Sequence, residues 1–203
     1  MRGIECGSVQ AIVSEHAVAP EPDEDLLWAH EQVVEGLMEG ATILPMRFAS
    51  TVEGPAALVA MLEQRRQEFI AALERVRGAV ELSVRAELPG DPEPADPEPV
   101  AAEPRLMRHF GPGTSYLLER ARDQRRGEDA AELIHRPLVA LARRSKRTAG
   151  GDPHAFKAAY LVEEDAVESF GQRVGRLNAT LGDINVSCTG PWPPYSFVSE
   201  ERE

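Results

Sequence analysis

The amino-acid sequence predicts an α+β fold of two small domains, each a ferredoxin-like-style sheet with helices on one face, the second with an added helical stretch. Three observations predict it. Short alternating or apolar runs of strand type are interleaved with segments of helical periodicity. The interleaving occurs twice, on either side of PGDPEPADPEPVAAEP at 89–104. The charge is also divided: the 203 residues carry a net charge of −12, yet residues 105–147 hold eleven Lys or Arg against five Asp or Glu. Such asymmetry suits two modules with different surfaces. At this length, with 42% hydrophobic residues, the chain can bury a core of ordinary size.

In the first half, VQAIV at 9–13 reads as a strand. A helix follows, with Asp23 as N-cap after Pro22, Gly40 at its end, and Leu26, Leu27, Val33, Val34, Leu37 and Met38 on one face. TILPMRF at 42–48 reads as a strand that Pro45 confines to an edge or bulge. Ser50 and Glu53 stand at capping-box spacing before one long helix carrying Leu58, Leu62, Phe69, Leu73 and Val76, which Gly78 stops. VELSVRAEL at 80–88 then alternates between apolar and polar positions, as a half-buried strand does.

The segment at 89–104 holds six prolines and five acids and no base. Missing backbone donors and mutual repulsion keep it extended. The expected organisation is therefore an N-terminal domain at 1–88, an acidic linker at 89–104 and a C-terminal domain at 105–203. In the last of these, 105–147 reads as a helical region, with Gly127 and Pro137 interrupting it and the basic RRSKR of 143–147 in its last turn. AFKAAYLV at 155–162 and INVSC at 184–188 read as strands around a helix built on Val167, Phe170, Val174, Leu177 and Leu181.

The end of the chain is unusual. GPWPPYSFV at 190–198 holds three of the eleven aromatic residues and three of the sixteen prolines. Such a tail needs an apolar groove, because each docked ring hides about 150–250 Å² and three exposed rings would form an interaction patch. Trp192, Pro193, Pro194, Tyr195 and Phe197 are the candidate residues for docking in that groove or on a partner.

Chemistry-bearing constellations are scarce. The five histidines make no metal spacing, and Cys6 and Cys188 read as two buried free thiols. No phosphate-binding glycine loop or nucleophile motif occurs, and Glu163, Glu164 and Asp165 read as charges at a helix N-terminus. His30 on an apolar stripe and Arg47 in an apolar segment are read as structural polar residues satisfied at the core margin. The acidic balance argues against nucleic acid, and no apolar run reaches the roughly 18–20 residues of a membrane-spanning helix. The N-terminus has no signal-peptide pattern. These readings predict no catalytic residue, no metal and no cofactor. A ligand-sensing regulatory module, or a small-molecule enzyme using His30, Arg47 or the acids near 163–165, is the alternative.

Five segments together resemble the gas vesicle protein F/L family: LLWAHEQVV (26–34), ILPMRFAST (43–51), RVRGAVELSV (75–84), KAAYLVEED (157–165) and TGPWPPYSFV (189–198). They run through nearly the whole chain, and PMRF with the upstream AHE, and above all GPWPPYSF, are specific. Two departures stand out. Members usually begin with a further strand of the YVYG type, which implies here an N-terminal sheet one strand short or a start assigned late. Where PVRFGT is the commoner form, this chain has Ala49, of which an ordinary backbone conformation is expected. The resemblance implies a non-enzymatic accessory protein of gas vesicles, acting in the cytoplasm during assembly and located on the vesicle. Its implied partners are the hydrophobic, β-rich shell protein and other accessory proteins, with no lipid membrane and no cofactor.

Overall fold

A computed structural model describes residues 1–88, 112–148, 154–182 and 184–199, with the backbone alone for 112–120 and 123. The acidic linker expected at 89–104, the turn before Ala155 and His109 lie outside the described residues. Among the described residues the fold is mixed α+β with two sheets: a two-stranded sheet β1-β2 and a four-stranded sheet ordered β4-β5-β3-β6. The elements are β1 (Arg2–Cys6), β2 (Val9–Val13), α1 (Glu24–Met38), α2 (Gly54–Gln64), α3 (Arg66–Val76) and β3 (Ala79–Glu87). They continue with α4 (Pro112–Val139), β4 (Arg144–Arg147), β5 (Ala155–Glu163), α5 (Val167–Leu181) and β6 (Asn185–Trp192).

Two compact units are present, and they follow packing rather than chain order. One comprises Met1–Leu82, Leu161–Asp165 and Gly190–Glu203; the other comprises Ser83–Tyr160 and Ala166–Thr189. The expected domains, 1–88 and 105–203, follow chain order, whereas Gly190 and the residues after it group by contact with the N-terminal residues.

In the first unit, β1 and β2 form an antiparallel hairpin with Arg2 opposite Val13 and Cys6 opposite Val9. A two-residue Gly7-Ser8 connection closes it, and Gly7 takes a positive φ of 63°, the conformation that tight hairpins demand. Strand β1 was not foreseen, although glycine in a two-residue gap is its signal. Asp23 caps α1 by accepting from the backbone N–H of Asp25 and Leu26. Helix α2 lies beside β1 and α3 beside β2, burying Leu58, Leu62, Ala72 and Val76.

Four sequence expectations are corrected here. Residues 42–48 form no strand: Pro45 is buried in an irregular segment that ends in a turn. The long helix is broken at Arg65 (φ −106°, ψ 14°). The Ser50–Glu53 box is absent, because the Ser50 hydroxyl donates to the Arg47 carbonyl at 2.7 Å and α2 starts at Gly54 with no side-chain cap. Ala49 has φ 59°, within the left-handed region and contrary to the ordinary conformation expected of it. A Cβ there meets the following carbonyl oxygen. Ala49→Gly is therefore expected to stabilise the protein by about 0.5–1 kcal/mol, the relief of that clash less the extra freedom of glycine in the unfolded chain. Urea denaturation at equilibrium checks it.

In the second unit, α4 runs unbroken through the buried Gly127 and ends two residues past Pro137. The basic segment expected in its last turn is instead the short strand β4. Pro137 supplies no N–H and stops the helix, and the Leu141 and Ala142 amides turn back onto Leu138 and Val139. As an edge strand, β4 presents Arg144, Lys146 and Arg147, charges that discourage pairing with other chains. Ile134, Leu138, Tyr160 and Phe170 have no exposed surface and form the centre of this unit. Asn178 of α5 donates to the Val186 carbonyl and accepts from the Val186 amide, at 2.8 and 2.7 Å, so its amide group mimics a strand partner for β6.

Candidate functional site

The tail enters the first unit through Gly190. With φ 122°, and with any Cβ placed 2.8 Å from the Glu81 carbonyl oxygen, this position admits only glycine. The peptide bond to Pro191 is cis. Beyond Trp192 the chain closes into a single 3-10 turn, Tyr195–Phe197. Pro193, Pro194 and Phe197 are buried. Trp192 is 43% exposed, so the tail does not sink all three of its rings.

Polar contacts fix the turn. Glu81 on β3 is a buried carboxylate that accepts from the Ser196 amide at 2.8 Å and from the Ser196 hydroxyl at 2.7 Å. Arg75 donates to the Phe197 carbonyl at 3.2 Å. The Tyr195 hydroxyl donates to Glu31 at 2.9 Å and lies 3.4 Å from His30 Nε2. Burial, followed by the bond to Glu31, pushes the Tyr195 pKa well above its ordinary value. It therefore stays a neutral donor.

His30 is placed by α1, where its Nε2–H donates to the Met46 carbonyl at 3.0 Å and its ring meets Phe48 edge-on at 5.8 Å. It thus pins the irregular 42–48 segment that replaces the expected strand. Arg47 is exposed, and its carbonyl closes the turn to Ser50. The tail and His30 meet through Tyr195. Glu31, Arg75 and Glu81, the residues that hold the tail, were missed in the sequence. The alternation at 80–88 puts Glu81 on the polar face of a half-buried strand; the structure instead buries it, because the strand is covered on both faces through Leu82 and the tail caps its carboxylate.

The second unit has a separate polar cluster. The Tyr160 hydroxyl and His135 Nδ1 share a hydrogen bond of 2.7 Å. Arg147 spans Glu128 and Glu132, at 3.2 and 2.9 Å, with its guanidinium 5.8 Å from the Phe156 ring centroid. Burial first, and then the Arg147 cation, pull the His135 pKa below its usual value, with Glu132 opposing them. Burial pushes Tyr160 well up. A His whose folded pKa is lowered adds stability that is complete above the unfolded value of about 6.5 and fades as pH falls through the folded one. Between about pH 7.5 and 5.5 the wild type is therefore expected to lose more Tm than His135→Asn, whose side-chain amide keeps a partner for Tyr160 at the Nδ1 position without titrating. Melting both proteins across that range checks it. Cys6 and Cys188 are free and half-buried, and burial raises the Cys188 pKa.

Comparison with known proteins places this architecture. The family described as gas vesicle synthesis protein GvpL/GvpF matches residues 1–199. The chain belongs to the GvpL/GvpF family. Gas vesicle protein L of Streptomyces sp. (strain CB03234) is 28% identical over 201 residues, spanning 89% of this chain and 73% of that protein. Gas vesicle protein F of the same strain is 29% identical over 205 residues, 95% and 85% of the two chains. The crystal structure of GvpF from Anabaena sp. PCC7120 shares the fold, with a TM-score of 0.73 at 18% identity, covering 93% of this chain and 83% of that one. In this GvpL/GvpF member, the tail that marked the resemblance is the segment that Glu31, Arg75 and Glu81 hold. Among the described residues no helix is long and apolar enough to cross a membrane.

Proposed function

We propose that this protein is a non-enzymatic accessory factor of gas vesicle assembly, which binds the hydrophobic shell protein together with other accessory proteins and limits its aggregation. The observation that carries the reading is the GvpL/GvpF match across residues 1–199. A subunit that polymerises into a closed apolar wall exposes greasy surface and strand edges before assembly, and both drive aggregation. A protein of net charge −12 that covers such surface keeps the complex dispersed. Within the tail we assign partner contact to Trp192, the ring left 43% exposed, while the buried residues of the tail serve docking. This reading places the protein in the cytoplasm during assembly and on the vesicle, with no catalytic group and no cofactor.

Co-expression with the shell protein tests it. The shell protein is expected to stay soluble and to co-purify with the tagged chain, and Trp192→Ala is expected to reduce the captured amount about tenfold, the size of an interface hot spot. Shell protein that aggregates equally with and without the chain, with none co-purifying, overturns the reading.

A further inference from the structure

Helix α1 carries an acidic stripe that meets the tail at one position, Glu31, which accepts from the Tyr195 hydroxyl. Glu24, Trp28, Glu31, Glu35 and Glu39 follow one another at steps of four, three, four and four, which puts them on one face of the helix. Trp28 is 67% exposed. Nine Asp or Glu and no Lys or Arg lie between Arg2 and Arg47, so the charges on the helix that carries this indole are all acidic. Helix α4 carries the counterpart: Arg122, Arg125, Asp129, Leu133 and Arg136, at steps of three, four, four and three, all exposed, with Leu133 59% exposed. At 1.5 Å per residue the two stripes measure about 22 and about 21 Å.

We propose that the protein self-associates through these two faces, α1 of one copy seating on α4 of a second. The faces match in length, oppose each other in charge, and each carries one large exposed apolar side chain, Trp28 near the start of its stripe and Leu133 near the end of the other. Trp28 would lie under an arginine of α4, the pairing in which an indole face attracts a cation most strongly. Carboxylates on either side accept the planar guanidinium forks. Because the two faces differ, the contact is heterologous: every copy offers both a donor face and an acceptor face. A single helix-on-helix contact is small, so the association is weak and depends on concentration and salt.

Sedimentation velocity on the full chain tests this. The weight-average sedimentation coefficient is expected to rise with concentration at about 0.05 M salt, and association to weaken about tenfold or more at about 0.5 M. Trp28→Ala, a change at an exposed site, is expected to weaken it about tenfold. Glu35→Arg with Glu39→Arg, and separately Arg122→Glu with Arg125→Glu, should each leave a monomer, and mixing the two reversed proteins should restore association. Circular dichroism confirms that each variant is folded. A wild type that stays monomeric at low salt, association indifferent to these substitutions, or reversed proteins that fail to pair when mixed would overturn the proposal.

Discussion

Truncating Phe197 to alanine is expected to destabilise the protein by about 3–5 kcal/mol, the usual cost of emptying a buried phenylalanine site. Phe197 is 5% exposed and sits at the end of the tail, after Pro193 and Pro194, which are buried beside it in sequence. The prolines limit collapse of the cavity, because their fixed φ leaves the tail few ways to shift into the vacated space. The Arg75 bond to the Phe197 carbonyl involves the backbone and can survive the truncation, so the loss reports packing. Trp192→Ala is the internal control. With 43% of that residue already in water, its stability cost should be about 1–2 kcal/mol, from the apolar area that remains covered. Equilibrium urea unfolding of both variants checks the pair. A Phe197 cost no greater than that of Trp192 would mean that the tail is held by its polar bonds alone.

The contrast between those two rings shows what a single sequence discloses. That the tail needs a groove follows from composition, since rings and prolines together favour order. Which ring goes in does not follow, because Trp192 and Phe197 are both large apolar rings, and only the folded tail shows Phe197 at 5% and Trp192 at 43% exposure. Amphipathic periodicity was enough to find α1, α5, β2, β3 and β5, and Asp23 announced its own helix start. Elements fixed by distant partners were not legible. Strand β4 is built from RSKR, a sequence with no apolar residue, and its strand state is imposed by β5 beside it. The 42–48 segment failed in the opposite sense: its apolar residues suggested a strand, but the His30 bond to Met46 and the turn at Arg47–Ser50 hold it as a loop. The same turn forces Ala49 to a positive φ, a requirement that a family preference for glycine at that place already hinted at.

Glu81→Ala is expected to cost about 2–4 kcal/mol, because it leaves the Ser196 amide and hydroxyl without a charged acceptor, and each such bond is worth roughly 1.5–3 kcal/mol with partial recovery by water. The carboxylate is 9% exposed, so burying it is itself unfavourable unless its oxygens are satisfied. Here one oxygen takes the amide and the other takes the hydroxyl, which offsets that penalty. Removing the tail's donors instead, with Ser196→Ala, deletes only the hydroxyl bond and should cost less, about 1–2 kcal/mol. Glu81→Gln tests the charge itself: it keeps an oxygen for the Ser196 amide but turns the other acceptor into a donor, which the serine hydroxyl meets by rotating. The expected order of stability is wild type, then Gln, then Ala. Hydrogen exchange at the Ser196 amide gives the local readout, slow in the wild type and fast in Glu81→Ala. If alanine and glutamine cost the same and the amide stays protected in both, packing of Phe197 and the prolines is sufficient to seat the tail, and the buried carboxylate is not what holds it.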